Sequence, residues 1–197
     1  MIYLTELLPL LGFVFAGLFS PGPNVILLTA SGARFGFQPT LPHILGVAFG
    51  VGITSAITGF GLGALLQSYP SLTLVLQIFA SLWILWMAYK LWFAKPAQTD
   101  DAADRPFTFI EAVFFQWVNP KVWAVALSAM VYVPIGAPSM QAMTLGLTFS
   151  GINLCVCLFW TYAGTLLSYL LKNAVAWRIF LRIMAVALVC FSVLVFI

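Results

Sequence analysis

Charge is what this sequence has least of. Only 7% of its 197 residues are Asp, Glu, Lys or Arg, against roughly 25% in an ordinary soluble domain. Five residues are acidic, one is a histidine, and the net charge is only +3. Paired carboxylates or a nucleophile beside a base, the usual tools of hydrolysis and group transfer, are not found within any one segment. The chain therefore does not read as an enzyme. No basic run points to nucleic acid, and none is expected as a partner. Cysteine is scarce as well. Cys155, Cys157 and Cys190 lie inside apolar runs, without CxxC or Cys/His ligand spacing. The first two are two residues apart, so on a helix they face different ways. They read as small reduced hydrophobes, and no metal or cofactor is expected.

What is present is apolar. Hydrophobic residues make up 63% of the chain, and mean hydropathy is +1.09. A core of this size cannot hide that much apolar surface, so lipid must be the solvent for most of it. Six segments reach the roughly 20 residues a spanning helix needs. They cover about 4–29, 43–67, 71–93, 107–133, 140–170 and 176–197. Tyr69-Pro70 separates the second from the third, and Pro134 to Pro138 the fourth from the fifth. The expected fold class is an all-α membrane protein of six transmembrane helices in a single domain.

The few charges orient it. Arg34 lies in the first connection, Lys90, Lys95 and Arg105 flank the third, and Lys172, Arg178 and Arg182 lie in or near the fifth. By the bias of basic residues toward the cytoplasm, odd connections face inward and both termini face outward. "KPAQTDDAADRP" (95–106) is the only long polar stretch. It reads as a solvated cytoplasmic linker between halves 1–94 and 107–197.

The halves resemble each other. Ser20-Pro21 matches Asn119-Pro120, "LGVAF" from Leu45 matches "LGLTF" from Leu145, and "QIF" from Gln77 matches "RIF" from Arg178, at offsets of 99, 100 and 101. Three spans per half is odd, so the second copy enters from the opposite side. Two inverted three-helix repeats are the expected plan, and in such transporters interrupted helices at matching places mark the binding site.

The interruptions are "LFSPGPNVI" (18–26) and "WVNPKVW" (117–123). Each proline removes a donor and clashes one turn back, which frees carbonyls around 16–19 and 115–117. In hydrocarbon a bare carbonyl costs several kcal/mol, so such a break belongs beside water, polar groups or a ligand. Freed carbonyls suit an ammonium, and N–H groups opening the next half-helix suit a carboxylate. Pro21, Gly22, Pro23 and Asn24 at the first break, with Asn119, Pro120 and Lys121 at the second, are the expected clamp for a zwitterion. Lys121 lies about 14 residues from the cytoplasmic start of its span, where a charge needs a cavity or partner. A kink that merely shapes packing explains one break well, but two in register less well. Gln116, Asn153 and Tyr162 are secondary candidates. His43 and Glu111 are candidates for proton coupling, though His43 also suits an interfacial place and Glu111 a nearby base. The glycines at 46, 50, 59 and 63 form GxxxG spacings that favour close helix packing.

The motifs "SPGPN" (20–24), "GARFGF" (32–37), "LGVAFGVGI" (45–53), "GLGALL" (61–66), "AYKLW" (88–92) and "VNPKVW" (118–123) resemble those of the LysE/RhtB family of bacterial amino-acid exporters. The resemblance implies a secondary transporter in the bacterial inner membrane, exporting an amino acid or close derivative by alternating access with proton coupling. "GPN" in place of "GPQN" is closer to the branch that moves neutral solutes, and "FQWVNPKVW" to the cysteine/O-acetylserine exporter group. Many relatives carry an acidic residue where Val51 stands and glycine where Ala112 stands, which puts coupling through that carboxylate in doubt. The expected partners are the amino acid, protons and the lipid bilayer, and small-residue helix faces would suit a homodimer. A permease for an inorganic anion or another small solute on the same scaffold is the second reading, since Lys121 would suit an anion.

Overall fold

The computed structural model describes residues 4–20, 22–62, 68–93, 105–170 and 173–194. Pro21, Gly63, Lys95, Lys172 and all of the linker before Arg105 lie outside them. Among the described residues the chain is almost entirely helical and holds no strand. The helices are α1 (Leu4–Phe19), α2 (Pro23–Phe35), α3 (Phe37–Ile57), α4 (Pro70–Trp92), α5 (Phe109–Val118), α6 (Pro120–Ala129), α7 (Pro138–Leu170) and α8 (Ala174–Leu194).

Proline and glycine punctuate the chain as local sterics require. Pro23, Pro70, Pro120 and Pro138 each open a helix, where proline's missing N–H would be unsatisfied anyway. Gly36, at φ 86°, joins α2 to α3, a left-handed turn that a side chain would strain. Thr108 caps α5 in a full capping box with Glu111, which satisfies two orphan donors reciprocally.

Among the described residues, three helices are long and apolar enough to cross a membrane: Phe37–Gly61, Pro138–Ser168 and Ala174–Val193. The bent pair Leu7–Phe19 and Pro23–Phe35, at 59°, makes a fourth if it is one broken span. Phe109–Val118 is apolar but short. The exterior is that of a membrane protein: Phe49, Phe79, Phe114, Leu147 and Val193 are each more than half exposed. The polar side chains of Thr40, Thr54, Ser55, Gln116, Asn119, Asn153 and Thr161 are buried instead. This inversion follows from the solvent, because lipid tolerates Phe and Leu but supplies no hydrogen bonds.

Small residues set the packing. α3 and α7 lie along each other, α2 packs on α7, α3 on α5, and α4 on α8. A Cβ on Gly32 would come within 2.1 Å of the Thr161 carbonyl oxygen, and one on Gly164 within 2.1 Å of that of Thr29. α2 and α7 therefore touch backbone to backbone. Gly46 does the same for α3 and α5, where a Cβ would stand 2.3 Å from the Phe109 carbonyl oxygen. Gly46 thus serves the close packing expected of its GxxxG spacing. Dispersion is the main attraction left between helices in lipid, and it rewards such approach.

Candidate functional site

Both sequence breaks are breaks in the structure, and they meet. α1 ends at Phe19 and α2 begins at Pro23. Ser20 and Gly22 lie between them, with Gly22 fully extended (φ −171°, ψ 179°). α5 ends at Val118 and α6 begins at Pro120, separated by Asn119 in extended conformation (φ −84°, ψ 102°). Lys121 reaches from the second break to the first. Its ammonium donates to the Ser20 carbonyl oxygen, and to Ser20 Oγ at 2.9 Å. A Cβ on Gly22 would lie 2.7 Å from Lys121 Cδ and 2.9 Å from Nζ, so the absence of a side chain there makes room for this crossing.

The carbonyls expected to be bare are largely closed by the chain itself. The Ser20 amide donates to Ala16 O at 3.2 Å, Ser20 Oγ to Gly17 O at 2.8 Å, and the Asn119 amide to Gln116 O at 3.2 Å. A serine or a tight final turn replaces the donor that proline removes. The remaining amides pair across the breaks. Asn24 Nδ2 donates to Gln116 Oε1 at 2.8 Å, and Gln116 Nε2 returns to Asn24 Oδ1 at 3.3 Å and to Ala112 O at 2.8 Å. Asn119 Oδ1 accepts from the Lys121 amide at 3.2 Å, so Asn119 is the N-cap of α6 as well as a lining residue.

A small void lies between the breaks and α7. Its polar lining is Asn24, Asn119, Lys121 and Asn153, with Gly22 and Trp160 beside them. Leu18, Val25, Leu28, Val122, Val156 and Cys157 complete an apolar wall. No carboxylate lines it. The space open to a water centre is about 20 Å³, close to what one water needs. An amino acid enters only if the helices part.

Asn24, Gln116, Asn119, Lys121 and Asn153 are thus brought to one place, with Gly22 against Lys121. Pro23 and Pro120 open the two half-helices behind it. Three predicted residues stand elsewhere. Tyr162 is 57% exposed and lies edge-on to Phe37. Glu111 caps α5 and takes both nitrogens of Arg105, at 2.7 and 2.9 Å. His43 is buried against the Phe107 ring at 5.0 Å, and neither of its nitrogens has a hydrogen-bond partner. Trp160 lines the void without having been singled out. The signal was its spacing, seven residues from Asn153 and therefore on the same helical face.

The LysE type translocator family model matches residues 15–197. The chain is 28% identical over 149 residues to the cysteine/O-acetylserine efflux protein of Klebsiella pneumoniae, covering 75% of this chain and 76% of that one. It is 26% identical over 179 residues to the leucine efflux protein of the same organism, covering 87% and 82%. An uncharacterized membrane protein of Vibrio cholerae is 26% identical over 144 residues, covering 70% of each chain. No solved structure matches. With the match running from within α1 to the last residue, the chain belongs to the LysE type translocator family.

Proposed function

We propose that this protein exports a neutral amino acid, or a close derivative, from the cytoplasm by alternating access, with the substrate held where the two broken helices meet. The observation that carries the reading is the crossing of Lys121 to Ser20. A cation from one interrupted helix sits on the carbonyl bared by the other, so the two breaks are joined into one polar site beside the void. Gly22, Asn24, Gln116, Asn119, Lys121 and Asn153 form the site, with Pro23 and Pro120 opening the half-helices beside it. The apolar wall without a carboxylate favours a neutral side chain over a cationic one, since a buried cation needs a partner. The relatives named for cysteine, O-acetylserine and leucine efflux support that class.

The architecture in this reading is six spans in two inverted repeats, 1–94 and 107–197, joined by a cytoplasmic linker. The element order supports it. A broken pair, a long helix and a further helix occur in each half, as α1/α2, α3, α4 and as α5/α6, α7, α8. Each sequence match joins equivalent elements. The packing has the same exchange: α3 with α7 and α4 with α8 are self-paired, while α1 and α2 pack on α7 as α5 and α6 pack on α3. Closure to one water's volume suits a cycle in which the halves rock about a fixed site. The substrate's efflux draws on the proton gradient, and His43 is the proposed carrier. Glu111 is engaged by Arg105 and Thr108, whereas both His43 nitrogens lack a partner among the described residues, so the ring takes up a proton only in a state of the cycle that opens it to water.

Export from vesicles, or the metabolite profile of medium from overexpressing cells, tests the site. Lys121→Ala and Asn24→Ala are expected to abolish export of the enriched amino acid while the protein still inserts. Unchanged transport in both variants would remove the two breaks from the binding site.

A further inference from the structure

Hydrogen-bond capacity left over in this site is not at the breaks. Asn24 is spent on Gln116, Asn119 on the Lys121 amide, and Lys121 on Ser20. Across the void, on α7, two N–H groups have no acceptor at all: Asn153 Nδ2 and Trp160 Nε1 are both buried and unpartnered. Asn153 is 2% exposed, so water outside the protein does not serve it. A buried donor without an acceptor forfeits the hydrogen bond it makes in water. Native structures keep few such groups, and two on one void lack any packing reason.

We propose that Asn153 and Trp160 form the carboxylate pole of the substrate site. This rests on the reading of the void as an amino-acid site and deepens it. Both groups donate only, apart from the amide oxygen of Asn153, so together they select an acceptor. The two residues stand two helical turns apart on one face, about 10 Å of rise. Helical side chains lean toward the N-terminus, so the Trp160 indole leans back toward Asn153 and shortens that gap. Cys157, between them on the same face, and Val156 beside it contribute only apolar surface. A carboxylate seated here places the α-carbon over that surface and the rest of the substrate toward Asn24 and Asn119 on the opposite wall. Substrate length is then set by the width of the void, and the carboxylate becomes obligatory. Gly32 and Gly164 contribute indirectly, because their backbone contact holds α7 close enough for its donors to face the first break.

The test is transport by the full-length protein in vesicles at pH 6.5. The probes are the proteinogenic amino acids with O-acetyl-L-serine, and the carboxamide of whichever is moved. At that pH the ammonium is retained by acid and amide alike. Trp160→Phe keeps the ring and removes the N–H; Asn153→Leu keeps the shape and removes the amide. Wild type is expected to prefer acid over amide. Each variant is expected to raise KM for the acid by on the order of tenfold, with kcat near wild type, and to raise KM for the amide, whose neutral carbonyl is the weaker acceptor, by less, so that the preference narrows. Equal losses on acid and amide, or no change on either, would overturn the carboxylate assignment while leaving the exporter reading intact. A wild type that moves no amino acid would sink the functional reading itself.

Discussion

At the residue scale, the site is a set of exchanges between the two halves of the chain. Lys121 satisfies Ser20, and Gln116 satisfies Asn24. Neither pairing follows from sequence, because the partners lie about a hundred residues apart. What was legible was the need. A lysine and three amides in apolar surroundings must find partners, and their types limited the choice. His43 is one of the residues left over from that process among those described. We expect His43→Gln to keep exchange of substrate across the membrane when no proton gradient is imposed. The same variant is expected to lose the stimulation that an imposed gradient gives the wild type. Stimulation equal to wild type would show that the proton travels by another route. Glu111 illustrates the opposite outcome, since a carboxylate held by Arg105, by the Thr108 amide and by its hydroxyl has little freedom to change state.

At the element scale, the helix ends were legible because proline and glycine act on their immediate neighbours. Both breaks stand where the sequence predicts them, and α7 closely follows its expected segment. The closure of the freed carbonyls by Ser20 Oγ and by the tight turn at Asn119 was not legible, since it depends on rotamers and on final-turn geometry. The close pairing of α2 with α7 was hidden for another reason. Gly32 and Gly164 lie far apart in the chain, so no local spacing links them. Gly164→Ala is expected to cost about 1–3 kcal/mol by forcing the helices apart, seen as a lowered unfolding midpoint in detergent. Gly151→Ala, in the same helix with open space around it, is expected to be neutral or stabilising. Equal behaviour of the two variants would show that backbone contact does not fix this interface.

At the scale of the whole molecule, the proposed topology sets the third connection in the cytoplasm and the fourth outside. With Cys155, Cys157 and Cys190 replaced, single cysteines at Gln98 and Gly136 report on it. A membrane-impermeant maleimide applied to intact cells is expected to label position 136 and to reach position 98 only after permeabilisation. The reverse pattern would invert the orientation, and labelling at both would show that the segment between them does not cross. Length and apolarity alone support three spans, or four with the bent pair. Of the remaining two, α5 with α6 is divided by its break into two ten-residue helices. A broken helix is a weak hydropathy signal for the same reason that it makes a useful site.

The sequence by itself determined the solvent, the helical class, the family and the two places where the backbone opens. Each follows from composition or from neighbours in the chain. Only the tertiary structure decided which polar groups satisfy one another and which remain. It moved the unmet donors from the breaks, where local chemistry placed them, to Asn153 and Trp160 on α7. Hydrogen bonds formed across the two halves absorb the donors at the breaks, and they form only when helices distant in sequence are packed to contact.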